Sequence, residues 1–242
     1  MDVDVLLRRL KWISLLMMTF LLSGCMYPQE RQQQLDKLGE QIATVQSAVL
    51  AYQREHRWLP YRYTEDEYKL TTKYKVNFQE LQGGYLAAIP PSAFEEGGPF
   101  IYVLIDVEKK PTVRLFDLRV NDEVEKVQPY VTGYHSKYKK WPLGQKISPH
   151  FFTIDYEKLG ISPVMVPSPY SSTTLPLIMD DQGKVYVDYR TDVMQKWQMS
   201  KNKPDANQDL RLWIAEDSFY VPAFSPVMKM RNNEPVFVRQ SS

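Results

Sequence analysis

Leu35, Leu38, Ile42, Val45, Val49 and Tyr52 recur at alternating steps of three and four, which sets them on one stripe of a helix. The stripe covers about two and a half heptads, fewer than a coiled coil needs, so it predicts a helix docked on its own domain. Leu59-Pro60 ends that helix, because proline restricts the residue before it and cannot extend a helical ladder. Farther on, residues 100–107 (FIYVLIDV) and 112–120 predict an antiparallel pair across Glu108-Lys109-Lys110-Pro111. Residues 175–179 and 184–189 predict a second hairpin across Asp180-Asp181-Gln182-Gly183. Asn77 and Asp155 suit the N-caps of short helical turns at FQEL and YEKL, which Gly83-Gly84 and Gly160 can end.

These elements repeat. Val45-Gln46-x-x-Val49-x-x-Tyr52 returns as Val127-Gln128-x-x-Val131-x-x-Tyr134 at an offset of 82. Trp58-Leu59-Pro60 is echoed by Trp141-Pro142, and Val76-Asn77-Phe78-x-x-Leu81 by Ile154-Asp155-Tyr156-x-x-Leu159. Each copy continues into a Pro-aromatic cluster, Ile89-Pro90-Pro91-Ser92-Ala93-Phe94 and then Val166-Pro167-Ser168-Pro169-Tyr170, and ends in strands. Val221-Pro222-Ala223-Phe224-Ser225 echoes the loop a third time. Several echoes in one order argue for duplication. The expected fold is therefore α+β, with two tandem helix-plus-antiparallel-strand units over residues 35–122 and 123–200 and a C-terminal segment, 201–242, holding a partial third repeat. Pro129 falls inside the second helical pattern, so that helix either begins near it or is kinked there.

The N-terminus has a different pattern. Arg8, Arg9 and Lys11 precede an apolar run at residues 12–22, WISLLMMTFLL. Eleven residues in a helix reach roughly 16 Å, about half a bilayer's hydrocarbon thickness, so the run reads as the core of an export signal and not as a spanning anchor. Ser23 and Gly24 follow, then Cys25, the one cysteine in 242 residues. Leu22-Ser23-Gly24-Cys25 resembles the lipobox of bacterial lipoproteins. That resemblance implies cleavage between Gly24 and Cys25, diacylglycerol on Cys25, and a location on the outer face of the bacterial cytoplasmic membrane. Two acyl chains give the stable anchoring that one chain cannot. Residues 1–24 are then a signal peptide and 25–34, polar and short of apolar anchors, a lipidated tether. The general secretory route fits the flanks of Arg8-Arg9 better than twin-arginine export.

Two further resemblances concern the body of the chain. AVLAYQREHRWLP, GGYLAAIPPSAF and GPFIYV together resemble the soluble half of type II pseudopilins, over residues 40 to 105 or so. The chain departs from them in having no prepilin cleavage site and no long apolar N-terminal helix, so only a fold analogy is implied. The whole chain also resembles uncharacterised lipoproteins of spore-forming Gram-positive bacteria, the Bacillus YphF-like group.

Composition narrows the function. The apolar share of 43% can fill a core, and 30 basic against 29 acidic residues give a net charge of +1. That balance offers no field for nucleic acid. Cleavage before Cys25 removes three basic and two acidic residues, leaving zero net charge and no second cysteine for a disulfide. His56, His135 and His150 stand apart from one another, and the spacings of zinc sites are absent. Ser136-x-x-Lys139 and Ser200-x-x-Lys203 match an acylation motif without its partner motifs and are read as chance. Asp180-Asp181-Gln182-Gly183 lacks the ligand alternation of a calcium loop and reads as a turn. No cofactor and no metal is expected. Trp58 and Trp141, with Phe94 and Tyr170, are candidates to line equivalent aromatic clefts, and Tyr138 lies in a basic-aromatic run, 134–141. The expected function is a non-catalytic interaction or scaffold module of the cell envelope, meeting the membrane through Cys25 and an envelope protein through its surface. The alternative is a binding lipoprotein for a wall glycan or small ligand at Trp58 and Trp141. An envelope enzyme would need carboxylates such as Asp106, Asp155 and Asp188 to converge.

Overall fold

The computed structural model describes residues 26–63 and 73–239, with side chains from Lys37 onward. The proposed signal segment, Gly24 and Cys25 lie outside the described residues. Helix α1 (Met26–His56) runs through the segment read as a tether. Two compact units divide at Gln41 and Ile42. The first, among the described residues, is the beginning of α1. The second, Ile42–Ser242, contains everything that follows. Ile42, Val45, Val49 and Tyr52 of the predicted stripe are buried there, joined by Ala48.

The architecture is α+β, with helices and antiparallel sheets. After α1 come β1 (Tyr61–Tyr63), β2 (Tyr74–Val76), the short helix α2 (Phe78–Leu81), β3 (Phe100–Ile105) and β4 (Thr112–Asp117). They form a sheet of order β1-β2-β3-β4. Helix α3 (Arg119–Tyr138) then leads to β5 (Leu143–Ser148), β6 (Phe151–Ile154), the short helix α4 (Tyr156–Leu159), β7 (Met165–Pro167), β8 (Thr174–Asp180) and β9 (Val185–Val187). In this second sheet β5 pairs with β6, β6 with β8 and β8 with β9, while β7 also lies on β8. The path β5-β6-β8-β9 has the strand order of the first sheet, and both sheets follow a long helix.

Matching hydrogen bonds give the correspondence its detail. Gln46 on α1 donates to Pro111 O at 3.0 Å and accepts from Val113 N at 2.7 Å. Gln128 on α3 donates to Gly183 O at 2.8 Å and accepts from Val185 N at 2.9 Å. An amide has one acceptor end and one donor end, so a single glutamine satisfies both orphan groups where a strand leaves its turn. The glutamine echo in the sequence thus has a physical cause. Arg57 and Lys139 take left-handed conformations with φ of 69° and 57°, and their N–H groups return to Gln53 O and His135 O. Asn77 N bonds Pro60 O as Asp155 N bonds Pro142 O. We expect Gln128→Met to lose about 2–4 kcal/mol by orphaning two backbone groups. Urea unfolding of the pair would read this as a lower midpoint at constant slope.

The structure corrects the sequence reading in several places. Counting back from Pro60 and Pro142, Leu59 is the counterpart of Trp141, and Trp58 is the counterpart of Lys140. The two tryptophans are therefore not equivalent. Helix α3 begins at Arg119, ten residues before Pro129, so the proline sits inside it and the boundary expected after residue 122 falls in its first turn. The strand expected over 112–120 stops at Asp117, which accepts from Arg119 N at 3.0 Å and turns the chain into the helix. Asp155 does cap α4, accepting from Lys158 N, and Gly160 ends it at φ 66°. Asn77 makes no such bond to the backbone, and Gln82 rather than Gly83 follows α2.

Past β9 come α5 (Arg190–Met199), α6 (Leu210–Ala215) and a hairpin of β10 (Met228–Arg231) and β11 (Glu234–Phe237). The segment echoing the Pro-aromatic loop joins both sheets by their last strands. Leu115 in β4 bonds Phe219 O and Val221 N, and Val187 N in β9 bonds Phe224 O. A hydrophobic core shared by both sheets follows, with Val103 and Phe116 from the first sheet, Leu177 and Val187 from the second, and Val221 and Phe224 from the segment between.

Candidate functional site

The sequence nominated five aromatic side chains, and the structure does not gather them into one cleft. Trp141 is partly buried, stacked on His135 with centroids 3.7 Å apart and planes 14° apart. A Cβ at Gly183 would lie 2.2 Å from its ring, so the indole is wedged on the β8–β9 turn. Tyr170 is half-buried, donates to Tyr220 O at 3.1 Å and packs edge-on against Tyr189, and burial holds its hydroxyl well above the ordinary value. Both serve the core. Phe94 stands exposed on a one-turn 3-10 helix, Phe94–Glu96. Tyr138 is exposed at the end of α3, against Tyr134 and under the Lys137 ammonium.

Trp58 differs from the rest. It is 60% exposed, yet its Nε1 donates to Tyr52 Oη at 3.1 Å. Tyr52 is itself buried on α1, and His56 stacks against it at 4.2 Å. His56 Nε2 lies 2.9 Å from Tyr85 Oη, which in turn donates to Glu55 Oε2 at 2.5 Å. Since the phenol proton goes to Glu55, His56 Nε2 carries the proton in its own bond and donates it to Tyr85. The Glu55 carboxylate pushes the Tyr85 hydroxyl up to about 12. The left-handed Arg57 reverses the chain and lays Trp58 back over the helix end. The result is an aromatic platform with a largely exposed indole whose only donor is already used. It can stack on an apolar or planar group without reorganising.

The carboxylates of the catalytic reading lie in separate local settings. Asp106 sits in the β3–β4 turn at φ 49°, Asp155 grips Lys158 at 2.6 Å, and Asp188 grips Arg190 at 2.6 Å. Sequence reading missed Asp192, which is 2% exposed on α5. It accepts from Ser168 Oγ at 2.8 Å and Ser171 Oγ at 2.7 Å, and burial raises its carboxyl above the usual range. Ser168 Oγ also accepts from the N–H groups of Tyr170 and Ser171. With both lone pairs engaged, that hydroxyl is a fastener for the Pro-aromatic loop and not a nucleophile. Its sequence signal is only the run of small hydroxyl residues around Tyr170. Asp180 braces its turn, accepting from Gln182 N, Lys184 N and Tyr186 Oη. His150 pairs with Asp181 at 2.6 Å. Among the described residues no three His, Cys, Asp or Glu side chains are grouped to hold a metal ion, and no helix is long and apolar enough to cross a membrane.

No curated protein and no solved structure matches the chain. A family model does match part of it, over residues 38–117. The match ends where β4 ends, so it takes in the first helix-plus-sheet unit, including the Trp58 platform. This first unit, about a third of the chain, is similar to the YphF family N-terminal domain.

Proposed function

We propose that this chain is a lipid-anchored interaction module of the bacterial cell envelope. Cys25 holds it on the outer face of the cytoplasmic membrane, and the platform around Trp58 meets an envelope protein. The observation that carries this reading is an exposed tryptophan pinned in place where the second unit has Lys140. Positions that the duplicated fold requires, such as Gln46 and Gln128, are alike in both units. A large apolar ring at a position filled by lysine in the other copy answers to something outside the fold, and Trp is over-represented at binding hot spots. The anchor rests on the resemblance of Leu22-Ser23-Gly24-Cys25 to a lipobox. The glycan alternative keeps only one of its two tryptophans, because Trp141 is covered.

The test is crosslinking in whole cells from a photoreactive residue at Trp58, with one at Lys140 as control. A discrete protein adduct from position 58 and none from position 140 is the expected result. Adducts to polymer alone would overturn the protein-partner reading in favour of glycan binding. In the same cells Cys25→Ser is expected to release the protein from membranes and to lower the adduct. Its continued sedimentation with membranes in alkaline carbonate would overturn the anchor.

A further inference from the structure

Helix α3 carries a second stripe beside the buried one. Val120, Val124, Val127 and Val131 face the core. Glu123, Lys126, Tyr130, Gly133, Tyr134 and Lys137 follow at helical spacing on an adjoining face. Tyr130 at its centre is 51% exposed, although nothing in the second unit requires an aromatic there. The corresponding residue of α1 is Ala48, which is buried, and Tyr85 from the loop after α2 packs on the next turn at Tyr52. At the centre of this face Ala48 and Tyr52 are buried in the first unit, whereas Tyr130 is exposed and Tyr134 half-buried in the second.

Two observations say what covers it. Gly133 stands in the helix interior, where glycine costs about 0.5–1 kcal/mol relative to alanine. A Cβ there would meet nothing within 4 Å among the described residues, so no contact among them calls for glycine. The missing side chain leaves room for another backbone to approach. Charge supplies the second argument. Glu123 and Lys137 lie seven residues on either side of Tyr130, two helical turns or about 10.5 Å each way. A copy of α3 running antiparallel, with a two-fold axis at Tyr130, brings each Glu123 against the other copy's Lys137 and each Lys126 over the other copy's Tyr134. Such a surface is self-complementary in the sense an isologous interface demands. Among the described residues Glu123 pairs with Lys126 alone, at 2.7 Å on a partly exposed surface, where a pair is worth little. We infer that this face of α3 is the interface of a two-fold dimer of the chain. The dimer surface is separate from the Trp58 platform, so either proposal can fail without the other.

The full chain carrying Tyr130→Cys, oxidised with a copper catalyst, tests this. Disulfide-linked dimer is expected at about tenfold the yield of a Thr132→Cys chain, whose cysteine points from the far side of the helix. The parent chain sets the background from Cys25. In the Tyr130→Cys background, Glu123→Lys or Lys137→Glu alone is expected to lower the yield, and the two together to restore it. Positions 130, 132 and 137 are exposed and Glu123 is half-buried, and far-ultraviolet circular dichroism checks that each variant is folded. Equal yields from positions 130 and 132, or a double reversal that fails to restore the dimer, would overturn the inference. Crosslinking from position 130 only to a different protein would do the same.

Discussion

Asp209→Ala is expected to cost about 3–5 kcal/mol, the loss that follows when one partner of a buried ion pair is removed. Arg211 is 3% exposed, and its Nε and Nη2 reach both oxygens of Asp209 at 2.8–3.2 Å. Nη1 donates to Ser225 O, so the guanidinium fastens α6 to the segment that joins the two sheets. Alanine leaves that charge buried with one carbonyl for company, and also removes the oxygen that accepts from Arg211 N at 3.0 Å. The same Asp-x-Arg grip occurs at Asp117–Arg119 and Asp188–Arg190, with arginine side chains 63% and 28% exposed. The cost should therefore rise in the order Asp117→Ala, Asp188→Ala, Asp209→Ala. The first should be near the ~1 kcal/mol of a lost helix cap, because water solvates the freed Arg119. Thermal unfolding of the three variants reads this directly. Equal shifts would show that burial of the arginine is not what sets the cost.

Gly98→Ala should be about as damaging, at about 3 kcal/mol or more, and for a steric reason alone. A Cβ at Gly98 would stand 2.2 Å from Ser92 C, 2.3 Å from Ser92 O and 2.6 Å from Pro91 O. Those are backbone atoms, held by Gly98 N to Ala93 O at 2.8 Å and Phe100 N to Ser92 O at 3.2 Å. They cannot swing aside as a side chain would, so the Pro-aromatic loop must detach from the start of β3. Its neighbour provides the control. Gly97 has φ 79° and open space beside it, so Gly97→Ala meets only the left-handed penalty of about 1–2 kcal/mol. Asparagine should recover part of that loss at 97 and none at 98. Denaturant unfolding of the four variants distinguishes the two causes.

The features legible along the chain are local. The hairpin of β3 and β4 was legible from a run of alternating and β-branched residues around a charged turn, and the Asp155 cap from its position before YEKL. The repeated Val-Gln-x-x-Val pattern was legible because the same backbone groups must be satisfied twice, at β4 and at β9. Such features rest on hydrogen bonds whose demands show in spacing. The register of the two copies slipped by one residue at the helix ends, although the later match of Val76-Asn77-Phe78 with Ile154-Asp155-Tyr156 holds in the structure. Pairing Trp58 with Trp141 matched residue type, whereas the left-handed turns at Arg57 and Lys139 match Trp58 with Lys140. Pro129 masked the true start of α3, which the Asp117–Arg119 pair sets ten residues earlier. For the candidate site, Trp58 could be named from the sequence, but not its exposure. Tyr85, 29 residues away from His56, completes the platform, and Tyr52 takes up the indole N–H. The partners of Asp192 and of the joining segment 219–224 were likewise invisible, since they lie 21 or more residues away along the chain. Exposure, burial and the choice of partner depend on which distant segments the fold brings together, and spacing along the chain carries no record of that.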